Sequence, residues 1–129
     1  MSLYPQQSLD LTALEAEFVE LQAGFIQRLP EREHKIAQML NSLLANSGQL
    51  DTAELKLLHR EVHNLVGATG SYQMNTISQS ARVFERLLWQ LISDAPGIIS
   101  VAAQQQLQLQ SEVLFKLIQS EISVSVAKR

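Results

Sequence analysis

The sequence predicts an all-α protein, and two observations support this prediction. Apolar residues recur at alternating spacings of three and four along most of the chain, which is typical of helices with one buried face. The polar clusters between these stretches are short, and no strand or hairpin signal occurs. Five amphipathic helices joined by short turns therefore predict an antiparallel helical bundle.

Composition narrows the class of protein further. The 129 residues suit one domain, and a hydrophobic fraction of 46% is enough for a packed core. A net charge of −3 without a basic patch argues against a nucleic-acid partner. No apolar run reaches the roughly 18 residues of a membrane span, so we expect no membrane insertion. The absence of cysteine excludes disulfides and fits a cytoplasmic location, which we expect here.

The first two helices are predicted on either side of Pro30. Residues 1–10 are expected to form a flexible leader. The first helix should end near Leu29, and its apolar positions have helical spacing: Leu14, Phe18, Leu21 and Phe25. Pro30 suits the first position of a second helix, because the missing N–H is not needed there. The second apolar stripe is Ile36, Leu40, Leu43 and Leu44, and Asn46-Ser47-Gly48 would end this helix.

The third helix is predicted from Asp51 or Thr52, as the N-cap, to about Tyr72. Its core-facing stripe is Leu55, Leu58, Val62, Leu65 and Thr69. At about 100° per residue, His63 lies roughly 120° from the centre of this stripe and should point outward.

Small residues surround His63 on the same side of the predicted helix. Gly67 and Gly70 fall within about 40° of it, as do His59 and Lys56. A glycine inside a helix costs roughly 0.5–1 kcal/mol relative to alanine, so two of them near one histidine call for a reason. We expect this face to let the backbone of a second protein approach His63 closely.

The last two helices follow a turn from Gln73 to Thr76. The fourth helix should stop before Asp94-Ala95-Pro96-Gly97, and its stripe is Ile77, Ala81, Phe84, Leu88 and Leu91. The fifth is predicted over residues 98–122, with Leu107, Leu114, Leu117 and Ile118. The folded domain would thus cover residues 11–122, and residues 123–129 would form a flexible tail.

A segment poor in charge joins these two helices. Between Leu87 and Ser111 only Asp94 is charged. One interpretation is a deeply packed helix pair. The other is a surface that docks against a second subunit or a neighbouring domain.

The stretch His63-Asn64-Leu65-Val66-Gly67-Ala68-Thr69-Gly70 resembles the phosphorylation motif of the histidine-containing phosphotransfer (HPt) domain of two-component phosphorelays. The histidine, the leucine, the first glycine and the small residues match that motif. Val66 replaces the family's lysine, Gln73 stands at its later glycine, and Phe84-Glu85 stands where Leu-Glu is usual. The resemblance implies an antiparallel four-helix bundle with an additional N-terminal helix that covers one end.

The resemblance also implies a function in signal transduction. The chain would be a phosphorelay carrier, in which His63 accepts a phosphoryl group from a receiver-domain aspartate and passes it to another receiver. It would be a histidine phosphocarrier and not a turnover enzyme. Its partners would be receiver domains of response regulators, with a hybrid sensor kinase as a further candidate. The receiver would hold Mg²⁺, and this chain would hold no cofactor.

Each neighbour of His63 then has an expected role. The outer Nε2 would attack the phosphorus, while Nδ1 donates its proton to a carboxylate that fixes the tautomer. Glu85 is the candidate carboxylate, because it matches the family's Glu or Gln near the histidine. Four basic residues could replace the missing lysine: Lys56, Arg60, Arg82 and Arg86. With Val66 in place, transfer could be slower, another cation could compensate, or the domain could bind receivers without carrying phosphate.

Two further classes of function remain open. His59 and His63 are four residues apart, a spacing that can hold zinc. The segment reads His59-Arg60-Glu61-Val62-His63, so its glutamate is misplaced for the His-Glu-x-x-His motif. Only Glu61 or Glu85 could serve as a third ligand. We therefore predict no metal site. The other class is a receiver-binding or dimerisation helical module without phosphotransfer, for which the charge-poor segment is the supporting feature.

Overall fold

The computed structural model describes residues 4–46, 48–94 and 97–127, with side chains from residue 11 onward. It contains four α-helices and, among the described residues, no β-strand. The helices are α1 (Tyr4–Leu44), α2 (Thr52–Ser71), α3 (Asn75–Asp94) and α4 (Val101–Ala127). The all-α prediction is confirmed.

The predicted break at Pro30 is wrong, because α1 runs through this residue without interruption. Proline inside a helix removes one backbone hydrogen bond and costs about 3 kcal/mol. Pro30 itself is exposed, but the buried stripe continues on both sides of it: Phe25, Ile26, Leu29, Ile36, Leu40 and Leu43. Burial of a large apolar side chain contributes about 1.5–3 kcal/mol, so packing along one continuous stripe outweighs the local cost.

The four helices surround one core, and each packs against two others. The connection after α1 and the connection before α4 meet at one end. There Leu50 N–H donates to Gly97 O at 3.0 Å and Ile99 N–H donates to Gly48 O at 2.9 Å. Both glycines have a positive φ, 86° and 97°, which favours glycine in these connections. The two connections therefore lie side by side at one end of a bundle-like arrangement of helices.

The first part of α1 extends beyond the other helices. With 41 residues α1 is about 60 Å long, whereas the 20 residues of α2 span about 30 Å. Gln22 Nε2 donates to Tyr72 O at 2.8 Å, so the C-terminal end of α2 lies beside residue 22 of α1. We call residues 11–21, which precede this contact, the α1 overhang. The separate N-terminal helix that the resemblance implies is not confirmed, because the described residues up to Leu44 belong to one helix, α1.

Two predicted boundaries also differ from the helices observed. Residues 4–10, expected as a leader, form the start of α1. Residues 123–127, expected in the tail, form the last part of α4. Residues 1–3 and 128–129 of these two segments lie outside the described residues.

The charge-poor segment contributes both to the core and to the surface. Leu88 of α3, Leu107 of α4 and Ile99 of the connection before α4 are buried in the core. Apolar side chains on the outer side of the same segment remain exposed: Trp89, Ile98, Val101 and Leu109. Both features named in the two interpretations are therefore present, a packed pair of helices and an apolar outer surface, and what covers that surface stays open.

Candidate functional site

Local sequence fixes which side of α2 faces the core. The Asp51 side chain caps the helix by accepting hydrogen bonds from Ala53 N–H at 2.9 Å and Glu54 N–H at 3.3 Å. All members of the predicted apolar stripe are buried, together with Val66: Leu55, Leu58, Val62, Leu65 and Thr69. The opposite side of α2, which carries the histidines, consequently faces outward.

His63 has the outward position that the helical pattern predicts. Its side chain is 66% exposed, and its Nδ1 lies 2.5 Å from Oε1 of Glu85 on α3. Glu85 is only 16% exposed, so the carboxylate sits between the two helices. An ionised carboxylate can only accept, so Nδ1 carries the proton in this pair. In a neutral ring the remaining nitrogen, Nε2, is then unprotonated and nucleophilic.

His59 lies one turn before His63 and faces the same carboxylate. Its Nε2 is 3.7 Å from Glu85 Oε1, which is beyond hydrogen-bond distance. The two imidazole rings are stacked with centroids 6.3 Å apart, and Trp89 lies 5.6 Å from His59 on the other side. His59 is 23% exposed, so it is much less accessible than His63.

Packing between α2 and α3 brings Glu85 to this place. Phe84 and Leu88 are buried on the core side of α3, and Glu85 follows Phe84 at the edge of that stripe. Toward the other end of α3, Ser78 Oγ donates to Val66 O at 3.0 Å. This hydrogen bond holds the two helices together about two turns of α3 from Glu85, which fixes their register.

The two glycines of the motif differ in what surrounds them. A Cβ atom added at Gly67 would meet no atom within 4 Å, so the surface one turn after His63 is open, as predicted. A Cβ atom added at Gly70 would lie 3.4 Å from Ser78 Oγ. Gly70 is exposed like Gly67, but a side chain there would touch Ser78 of α3. Its predicted role beside His63 stays a prediction.

Val66 is a buried residue of α2 where this helix contacts α3. Its carbonyl accepts from Ser78 Oγ and, at 3.3 Å, from Thr69 Oγ1. It supplies an apolar wall to the surface beside His63 and no charge.

An open pocket of about 720 Å³ lies beside His63. Trp89, which the sequence did not predict, lines it. The other lining residues are all predicted site residues: Lys56, His59, Arg60, His63, Val66, Arg82, Glu85 and Arg86. All four basic candidates from two helices thus surround the same space. Four basic side chains and one carboxylate make this region locally positive in a chain of net charge −3.

The charges of the pocket act at short range. The four basic side chains are exposed, so solvent and salt screen their fields over about 10 Å at 0.1 M ionic strength. An anionic group would therefore be attracted when it is already near His63. Such a pocket can accept an anion beside an unprotonated imidazole nitrogen.

Trp89 is the lining residue that the sequence analysis overlooked. It is an exposed tryptophan, and it lies one turn after Glu85 on α3. This spacing of four residues from the candidate carboxylate was the available signal.

The described residues give no sign of a metal centre. No group of three or more histidine, aspartate or glutamate side chains among them is arranged to hold a metal ion. The described helices also include none with the length and apolar character required to cross a membrane.

Comparisons with protein-family models, with curated proteins and with solved structures gave no match to this chain. The geometry of the pocket and the sequence motif are therefore the two sources for a functional proposal.

Proposed function

We propose that this chain is a phosphorelay carrier of the HPt type, built on an antiparallel four-helix bundle. His63 accepts a phosphoryl group from the aspartyl phosphate of a receiver domain and passes it to another receiver. The observation that carries the proposal is the exposed imidazole whose Nδ1 is hydrogen-bonded to Glu85 at 2.5 Å. The sequence motif from His63 to Gly70 supports it independently.

The chemical step uses few groups of this chain. Nε2 of His63 attacks the phosphorus, the bond between phosphorus and the aspartyl oxygen breaks, and its electron pair returns to the aspartate carboxylate. The imidazole thereby gains a positive charge, because Nδ1 keeps its proton. Glu85 stabilises that charge across a charge-assisted hydrogen bond. In the receiver, bound Mg²⁺ and its ligands stabilise the transferring phosphoryl group.

The basic residues around the pocket compensate for the missing lysine. Lys56 and Arg60 approach from α2, while Arg82 and Arg86 approach from α3. Guanidinium groups bind phosphoryl oxygens with paired hydrogen bonds, so the two arginines of α3 suit the role. They lie on the same helix as Glu85, which already contacts His63.

The experiment is phosphoryl transfer from a panel of receiver domains that carry labelled aspartyl phosphate. We expect the wild-type chain to acquire a label that acid removes and alkali does not, because a phosphoramidate hydrolyses once its nitrogen is protonated. His63→Gln should abolish labelling. His59→Gln is the matched control one turn away, and it should leave labelling largely intact. Labelling that persists in His63→Gln would refute the assignment.

A receiver-binding module without phosphotransfer is the second candidate, and Val66 is the observation that favours it. This residue is buried and apolar where the resembled motif has a lysine, so the position itself supplies no charge. The two candidates differ in one result. An adaptor binds a receiver in a titration yet never acquires acid-labile phosphate from it.

A further inference from the structure

The α1 overhang presents an apolar stripe to solvent. Leu11, Leu14 and Leu21 are 60%, 58% and 59% exposed, and Phe18 between them is half-buried. Together with Phe25, which is buried in the core, they recur at spacings of three, four, three and four. This is the a and d pattern of a coiled coil, in which a second helix covers the stripe.

The overhang lacks such a covering helix within the described part of the chain. Gln22 contacts the end of α2, and Phe18 still reaches the Tyr72 ring with centroids 5.9 Å apart. Before Phe18 the described side chains of α1 are all exposed. Burial of these exposed apolar side chains against a partner helix would therefore stabilise this stretch.

The charge of the overhang indicates which kind of helix fits. Glu15 and Glu17 flank the apolar stripe, and Glu20 lies on the same stretch. The first basic residue of the chain is Arg28, which lies beyond the overhang. Positions that flank a coiled-coil seam select partners through opposite charges. The flanks of this seam therefore favour lysine or arginine.

We propose that the α1 overhang is a docking surface for a basic amphipathic helix of a partner protein. The partner helix would place apolar residues on the stripe of Leu11, Leu14, Phe18 and Leu21, and basic residues beside Glu15 and Glu17. A second copy of this chain fits less well, because its overhang brings the same carboxylates and like charges repel. An anionic membrane surface repels the overhang for the same reason. This surface lies at the end of α2 remote from Asp51, and it is independent of the proposed phosphotransfer.

Binding of designed peptides to the full 129-residue chain tests the proposal. The probe is a fluorescent three-heptad helical peptide with leucine at a and d and lysine at e and g. The comparison peptide has the same sequence with glutamate at e and g. We expect saturable binding of the lysine peptide by fluorescence anisotropy, at least about tenfold tighter than binding of the glutamate peptide, a difference of about 1.4 kcal/mol.

Paired variants assign the binding to the stripe. The double variant Leu14→Asn and Leu21→Asn should weaken lysine-peptide binding by at least about tenfold. Ala16→Asn is the matched control, because Ala16 is exposed on the same stretch but lies on the opposite side of the helix from the stripe. Glu15→Gln with Glu17→Gln should reduce the preference for the lysine peptide. Circular dichroism and thermal unfolding verify that each variant folds.

Three results would overturn the proposal. The first is no saturable binding of the lysine peptide up to about 100 μM, which corresponds to less than about 5.5 kcal/mol of binding free energy. The second is equal binding of the two peptides. The third is a dimeric mass in solution that Leu14→Asn with Leu21→Asn converts to a monomer, since a second copy would then be the occupant.

Discussion

The contact between Glu85 and His63 predicts a specific loss of transfer when the carboxylate is removed. Glu85→Leu deletes the acceptor, and Glu85→Gln keeps an acceptor oxygen but removes the charge. A hydrogen bond to a charged group contributes about 1.5–3 kcal/mol, and because His63 is 66% exposed we take the lower value. At 1.4 kcal/mol per factor of ten, Glu85→Gln should slow transfer roughly tenfold and Glu85→Leu more than that.

Two measurements separate this role from a structural one. Single-turnover transfer from a phosphorylated receiver gives the rate. Nitrogen chemical shifts of the His63 ring report which nitrogen carries the proton, and Glu85→Leu should raise the share of the Nε2-protonated form. Glu112→Gln is the control, because Glu112 is an exposed carboxylate of α4 outside the pocket lining. A wild-type rate in Glu85→Leu, with the variant folded, would refute the reasoning.

Three further predictions concern the turn, the open surface and the tryptophan. Gln73 has a φ of 61°, a left-handed conformation that costs a non-glycine residue about 1–2 kcal/mol. Gln73→Gly removes this cost, but glycine also gives the unfolded chain more entropy, which offsets about 0.4–1 kcal/mol of the gain. The free energy of unfolding should therefore rise by about 0.5–1 kcal/mol. Unchanged or lower stability in a denaturant titration would contradict this. Gly67→Ala should preserve or raise thermal stability, whereas Gly67→Gln should fold and yet transfer phosphate slowly. A wild-type transfer rate in folded Gly67→Gln would contradict the close approach of a receiver to His63. Trp89→Ala should leave stability nearly unchanged and weaken receiver affinity by about tenfold in calorimetry, because exposed tryptophans are frequent binding hot spots; equal affinities would exclude Trp89 from the contact.

The parts of the site that depend on one helix could be predicted from sequence. The stripe of α2 and the exposure of His63 follow from the repeat of the helix itself, so periodicity was sufficient. The approach of Glu85 depends on how α3 lies against α2, and the hydrogen bond from Ser78 Oγ to Val66 O helps to hold that register. Periodicity within α3 does not encode this contact. The expectation for Glu85 came from the resemblance to a phosphotransfer motif.

The failures arose where a neighbouring element overrides a local rule. Pro30 has a strong preference for the first turn of a helix, but the buried residues on both sides hold α1 continuous. For Trp89 the local signal is only its spacing of four residues from Glu85, because most of its neighbours in the pocket come from α2.

The two backbone hydrogen bonds between the connections at Gly48–Leu50 and Gly97–Ile99 have a consequence for local unfolding. They join the chain before α2 to the chain before α4, so separation of the helices at that end requires both to break. At the opposite end a side-chain hydrogen bond from Gln22 to Tyr72 O joins α1 to the end of α2, and α1 continues beyond it into the exposed overhang. Native-state amide exchange should therefore be graded along α1, fastest in residues 11–21 and slowest between Phe25 and Leu43. Opening of the molecule would then start at the end where the overhang projects.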